Sequence, residues 1–308
     1  EATGWHSGVR AVPEFFIYLQ WQTARALDAL ARHARAMMKV GLYLDLAVGV
    51  TSDGGEAQSV PSLFAHGVSL GAPPDDFSPT GQNWTLPPWN PHALRAAAYQ
   101  PFVQMLRSVM SAGGALRIDH VVGLLRQFWI PDGKHAGDGV YIQFPVRDLL
   151  AIIALESHRH RCVVVGEDLG TVPDEMRTLL NEHGLLSYRV LYFERYWHGD
   201  HSFKKPWDFP ADALATIATH DLPTLAGYFS SHDLRLRAEL GKLPPATDYA
   251  QQRTHREWEC ALLRRTLAEE SLDAKSVACA VHTYVAQTPC RLMAVQIEDL
   301  LGIEDQVN

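Results

Sequence analysis

Two patterns of apolar positions recur along this chain. One is the helical recurrence of apolar residues every three or four positions. The other is a short, near-continuous apolar run bounded by glycine or a charge. Pro13 to about Met38 shows the first, with Phe15, Phe16, Leu19, Ala26, Leu27 and Leu30 as its apolar positions and proline at its start. "GLYLDLAVGV" (41–50) shows the second, as a strand buried in a parallel sheet does. Pro91 to Met110 reads as helix again, closed by Gly113-Gly114. Beyond it, "ALRID" (115–119), "CVVVGE" (162–167), "SYRVLYF" (187–193), "LATIATHD" (214–221) and "RLMAVQIED" (291–299) predict strands. Residues 145–160, 173–183, 249–270 and 275–286 predict the helices between them.

Strands alternating with helices predict a parallel α/β architecture with right-handed crossovers. A closed (β/α)8 barrel of the TIM type has eight strands in ~250 residues. Only six are read here, so the expectation is an incomplete barrel. At least one strand is expected before residue 1, and no closing helix follows the last. Residues 1–308 are read as one barrel unit, with 51–90 as a long loop or insertion on its substrate side. That segment, which includes "GAPPDDFSPTGQNWTLPPWNP", is too long for a mere connection.

Composition narrows the partners. The 308 residues are 47% hydrophobic and 20% charged, ordinary for a globular protein with a large core. Twenty-seven basic against 35 acidic residues leave a net charge of −8. Nucleic acid and anionic membranes are therefore poor partners. No apolar run approaches the ~18 residues of a membrane span, and the N-terminus has no signal-peptide core. Cys162, Cys260, Cys279 and Cys290 lack zinc-type spacing. They read as free thiols in a reducing compartment, which predicts a cytoplasmic protein.

Candidate chemistry collects at strand ends. Asp119 ends "LRID", Glu167 ends "VVVGE" and Asp221 ends "IATHD". In parallel α/β folds the carboxyl ends of the strands form the active face. Any one such acid, Asp168 and Asp221 included, has a competing reading as a helix N-cap. Three together point to a site. Acids with a neighbouring arginine and histidine, no nucleophilic serine or cysteine motif and no phosphate loop suggest glycosyl transfer or hydrolysis. That chemistry needs one ionised carboxylate and one protonated carboxylic acid. Arg117 beside Asp119 favours ionisation, and the apolar run before Glu167 favours protonation. Aromatic residues in 51–90 suit stacking on sugar rings, although loop packing explains any one of them equally well. His158 and His160 in "ESHRHRC" face different sides of a helix and read as its basic end. Asp119-His120 and His220-Asp221 are conceivable metal ligands, but no HxH or HExxH completes a set. No metal and no cofactor is expected.

"GLYLDLAVGV", "GAPPDDFSPTGQNWTLPPWNP", "GALRIDHVVGLLRQFWIP", "LLAIIALESHRHRCVVVGEDLGTVP" and "IATHDLPTLAGYF" closely resemble 4-α-glucanotransferases, the amylomaltases of glycoside hydrolase family 77. The resemblance runs through most of the chain in the family's order. It implies a β/α barrel related to the α-amylases and a retaining double displacement on α-1,4-glucans without a cofactor. It puts Asp119 on the nucleophile of the RIDH motif, Glu167 on the acid/base of GEDLG and Asp221 on the transition-state-stabilising acid of THD. Arg117 and His220 match residues beside the nucleophile and the sugar, and His120 completes RIDH. Asp75, Gln82, Asn83 and Trp84 match a segment lining the acceptor side. Two positions depart from the pattern. Leu44 stands where an arginine is expected, which would loosen a strand-end ion pair. Thr85 stands where a glycine is expected. An α-amylase-type hydrolase and an inactive glucan-binding fragment remain as alternative readings.

Overall fold

The structure is a computed structural model that describes residues 13–74, 78–243, 247–267 and 274–306. Ten strands occur among them. In chain order they are β1 (Tyr43–Leu46), β2 (Val68–Ala72), β3 (Gln82–Asn83), β4 (Ala115–Ile118), β5 (Arg126–Pro131), β6 (Val140–Gln143), β7 (Val163–Gly166), β8 (Leu186–Val190), β9 (Ala213–Thr216) and β10 (Leu292–Met293). Six of them form one parallel sheet in the order β1-β4-β7-β8-β9-β10. Strands follow one another in chain order across it, each separated by a crossover, as in part of a β/α barrel. Its register places Asp45 beside Arg117 and Arg117 beside Val165. Two apolar clusters pack on this sheet, one around Leu106, Leu116, Ile153 and Met176 and the other around Val190, Leu191, Leu263 and Val281. Among the described residues no helix is long and apolar enough to cross a membrane.

The expected strands are present but shorter, because pairing ends where the rim loops begin. The run at 214–221 is a strand only over β9, and 291–299 only over β10, after which Ile297–Leu301 turns helical. The helix expected from Pro91 to Met110 is two helices, Pro91–Ala96 and Gln100–Ala112. Ala98 and Tyr99 between them take positive φ (49° and 57°), and Pro101 opens the second helix without an N–H to donate. Residues 51–90 are not a bare loop. They contribute β2 and β3 to a four-stranded antiparallel sheet, β3-β2-β5-β6. β5 and β6 escape a pattern reading because their alternation is broken by Pro131 and by the polar Gln127 and Gln143. Two further helices, Leu225–Ser230 and His232–Glu239, are also absent from the sequence reading.

The first helix, Pro13–Met37, does not bury the stripe expected of it. Phe15, Phe16, Leu19, Leu27 and Leu30 are all exposed, and only Ala31 and Ala34 are buried. Its apolar residues run consecutively from Phe15 to Leu19, so they surround the helix instead of lining one face. The helix is tied down at its far end, where Arg35 donates to the carbonyls of Ser111 and Gly113 at 2.7 and 3.3 Å.

The glycine pair before β4 has a packing reason. A Cβ on Gly114 would lie 1.3 Å from the Val40 carbonyl oxygen. That approach lets Gly114 and Ala115 both donate to the Leu42 carbonyl, at 2.8 and 3.0 Å, which seats β1 against β4. We expect Gly114→Ala to cost more than about 2 kcal/mol, since backbone must move. Urea unfolding at equilibrium checks this, and a loss below about 0.5 kcal/mol would contradict it.

Candidate active site

The site is built on the carboxyl ends of β1, β4 and β7. Asp119 directly follows β4 and donates its backbone N–H to Leu46 at 3.0 Å. Glu167 directly follows β7 and donates to Ile118 at 2.9 Å. Between them the chain turns sharply at His120, whose φ of 48° and ψ of 56° are left-handed. The turn crosses Gly166, where a Cβ would come within 2.9 Å of the Val121 side chain. With no side chain there, Val121 donates to the Glu167 carbonyl at 3.0 Å. The His120 N–H then reaches the Glu167 carboxylate, donating to Oε2 at 2.9 Å. The other oxygen, Oε1, accepts the Leu169 N–H at 2.8 Å.

Arg117 is the cation of this cluster. It is buried on β4 and splits its guanidinium between two acids. Nη1 lies 2.8 Å from both carboxylate oxygens of Asp45 on β1, and Nη2 lies 2.8 Å from Oδ1 of Asp119. Its charged group also lies 5.9 Å from the ring centre of Tyr188 on β8. Burial alone weakens the cation, but the Asp45 bond and the charges of Asp119, Asp45 and Glu167 raise its pKa overall. Glu167 moves the other way from an ordinary ion-paired carboxylate. Its burial raises its pKa, outweighing the two N–H donors and the Arg117 charge that favour ionisation. Burial likewise lowers the pKa of His120, against the pull of Asp119. The two carboxyls, both partly exposed, therefore stand in different surroundings: Asp119 is salt-bridged to Arg117, whereas desolvation raises the pKa of Glu167.

Trp84 joins this cluster by its ring, edge-on to His120 with centroids 5.1 Å apart. Its Nε1 donates to Oε1 of Gln82 at 3.0 Å. Asn83 uses its side-chain oxygen to hold the turn, accepting from Ser69 Oγ at 2.8 Å and from the Thr85 N–H at 2.9 Å. Thr85 has φ of 58°, a left-handed conformation that a β-branched residue rarely adopts and that glycine takes freely. Asp75 lies outside the described residues. Leu44 lies in β1 opposite Leu116 and packs in the core, and the strand-end ion pair is complete through Asp45.

His220 and Asp221 stand apart from this cluster. They lie in the turn after β9, two strands along from β7 on the same rim, and both are exposed. His220 Nε2 is 3.3 Å from Asp221 Oδ2, and Gln306 donates to the His220 carbonyl at 3.2 Å. Neither capping alternative is realised. Thr224 caps the helix Leu225–Ser230, its hydroxyl accepting from Gly227 at 3.0 Å. Asp168 is fully buried instead, accepting the Tyr188 N–H at 2.8 Å and paired with Arg177 and Arg189 at 3.2 and 3.3 Å. It locks the segment after Glu167 onto β8. The basic end of Val146–His160 turns on Glu156, a buried acid held by Arg107 and Arg159. Among the described residues no group of three or more His, Cys, Asp or Glu is placed to hold a metal ion. Sequence reasoning missed Asp45 and Tyr188. A charged residue inside the buried run "GLYLDLAVGV" was the available signal for Asp45.

Part of a parallel β/α barrel with a buried arginine and acids on its carboxyl rim defines the class, an incomplete barrel of the TIM type with a candidate site on that rim. A family model described as 4-alpha-glucanotransferase matches residues 4–308, and the chain belongs to that family, glycoside hydrolase family 77. Curated relatives include the 4-alpha-glucanotransferases of Haemophilus influenzae, 42% identical over 309 residues, and of Mycobacterium bovis, 39% identical over 300. These alignments cover 96% and 94% of this chain but only 44% and 41% of those proteins. The chain thus spans less than half the length of these relatives. Among solved structures, amylomaltase from Corynebacterium glutamicum superposes with a TM-score of 0.86 at 32% identity, covering 95% of this chain and 44% of that one. Amylomaltase from Streptococcus agalactiae in complex with acarbose shares the fold at 21% identity and a TM-score of 0.68, covering 86% of this chain and 50% of that one.

The shift at His120 has a measurable sign. Because its folded pKa lies below the ordinary value of 6.5, the stability it contributes is complete above pH 6.5 and is lost as pH falls through and below it. His120→Asn suits the left-handed backbone and has nothing to titrate there. The difference in unfolding free energy between the two proteins should therefore shift in favour of the variant from pH 7.5 to pH 5. Urea titrations at both values test this, and a difference unchanged with pH would refute it.

Proposed function

We propose that the chain is the catalytic core of a 4-α-glucanotransferase that moves α-1,4-glucan segments between maltooligosaccharides by retaining double displacement. The observation that carries this reading is the unequal setting of two acids tied to one turn. Asp119 is ion-paired to Arg117, whereas partial burial raises the pKa of Glu167. Retaining glycosyl transfer needs that division of roles.

Asp119 Oδ attacks the anomeric carbon of the donor while Glu167 gives its proton to the departing glycosidic oxygen. The bond to the leaving glucan breaks, and a glycosyl ester on Asp119 forms. Glu167, now ionised, takes the proton from the 4-hydroxyl of an acceptor sugar, whose oxygen displaces Asp119 and restores the α-linkage. An acceptor that fills the site excludes water, which favours transfer over hydrolysis. Asp221 stabilises the positive charge developing on the sugar ring, and His220 contacts the same sugar. Arg117 aims Asp119 through their ion pair, and His120 serves Glu167 through its backbone N–H. Gln82, Asn83, Trp84 and Asp75 belong to the acceptor side, with the exposed edge of Trp84 as the sugar contact. No step calls for a metal or cofactor. The four cysteines are free thiols, which supports a reducing, cytoplasmic setting.

Incubation with maltotriose, with products separated by chain length, tests the proposal. Glucose together with maltopentaose and longer chains is expected. Glucose and maltose alone would establish the hydrolase instead, and unchanged maltotriose with a folded protein would establish a glucan-binding fragment. Asp119→Asn should lower turnover by at least about a thousandfold. The alkaline limb of the pH–rate profile reports the loss of the Glu167 proton. Arg117→Met removes a cation that lowers the Glu167 pKa, so in that weakened enzyme the limb should move to higher pH. A limb that stayed fixed or moved down would argue against Glu167 as the acid.

A further inference from the structure

Large aromatic residues are usually buried, and a contiguous exposed row of them marks a contact surface. Such a row lies on the loop leaving β8 and on the helix Tyr249–Thr266. Trp197 and Trp258 are 53% and 42% exposed. His201 bridges them, with ring centroids 6.0 Å from Trp197 and 6.3 Å from Trp258, and His255 extends the row at 5.3 Å from Trp258.

The row is held rigidly. Buried Arg195 and partly exposed Glu259, two and one residues away from the tryptophans in sequence, form an ion pair at 2.8 Å that fastens the loop to the helix. Tyr228 donates to the same glutamate at 2.9 Å. Arg195 also lies 4.5 Å from the Phe203 ring and 5.5 Å from that of Trp197, so the cation supports the indole from the protein side. Trp197 Nε1 donates to the Phe193 carbonyl at 3.1 Å, and His201 is set by a left-handed backbone, φ 59°. Side chains fixed in this way lose little entropy on meeting a ligand.

We propose that this row is a remote glucan-binding ledge, which takes the apolar faces of successive glucose units of a chain extending beyond the catalytic rim. Its position is the first argument. The loop starts at the carboxyl end of β8, between the strand that carries Glu167 and the strand that leads to Asp221. Buried Tyr192 at its base donates to the Pro223 carbonyl at 3.4 Å, two residues beyond Asp221, which fastens the loop to the segment carrying Asp221. Its chemistry is the second. The row offers aromatic rings and hydrogen-bonding edges, matching a polyhydroxylated chain, and the net charge of −8 disfavours polyanions. The identity of the ligand as an α-1,4-glucan rests on the transfer reading given above.

Gel electrophoresis of the 308-residue protein through soluble starch reads this binding directly. The Asp119→Asn background keeps the polysaccharide intact during the run. Trp197→Ala with Trp258→Ala should weaken retardation about tenfold, whereas the phenylalanine pair should retain most of it. Trp207→Ala, an exposed tryptophan outside the row, should leave it unchanged. In the Asp119 protein the alanine pair should leave maltotriose turnover intact, because so short a substrate does not extend from the rim to the ledge. Equal retardation of the alanine pair and its parent would overturn the ledge, as would a dimer that these substitutions dissociate. Starch retardation that depends on the ledge, in a protein that leaves maltotriose untouched, would uphold the ledge and reject transfer alone.

Discussion

The candidate site depends on one buried guanidinium. Arg117 sits on a strand with neighbours on both sides, where an unpaired cation is strongly disfavoured. Asp45 on the adjacent strand answers it with both oxygens, and register makes that pairing automatic, since Asp45 and Arg117 are direct partners across β1 and β4. One nitrogen is thereby committed to Asp45, and the other is left facing Asp119. The orientation of the arginine, and through it of the exposed acid, is a consequence of strand pairing. Loop flexibility has little part in it.

Glu167 is placed by a different device. The left-handed turn at His120 and the absence of a side chain on Gly166 fold the residues after β4 across the end of β7. Backbone N–H groups then face both oxygens of the carboxylate. Those donors aim the group, while the surrounding burial sets its proton affinity. The donors that fix its position also favour ionisation, so the raised pKa comes from burial outweighing them.

Much of this was legible from residue patterns, and the limits have physical causes. The parallel strands announce themselves as apolar runs because both their faces are covered. Asp119 and Glu167 were visible because a carboxylate ending such a run needs a partner. Asp45 was overlooked although it lies in such a run, because its partner is 72 residues away and only strand register reveals the pairing. β5 and β6 were missed because a half-exposed antiparallel pair leaves only a weak alternation. The helix Pro13–Met37 shows the opposite failure. Its apolar density was plain, yet density without a single face does not specify what it packs on.

The three acids are not equivalent members of one preformed array. Asp45, Arg117, Asp119, His120 and Glu167 are held by direct bonds across three neighbouring strands, so their geometry exists before any sugar arrives. Asp221 is two strands further along, exposed, with His220 as its close neighbour. A carboxylate in that position has weak influence across water, because exposed charges are screened. A sugar lying between the two groups displaces that water and strengthens the attraction between Asp221 and a developing positive charge. In the proposed mechanism the sheet preorganises Asp119 and Glu167, whereas Asp221 gains its effect only when substrate closes the gap.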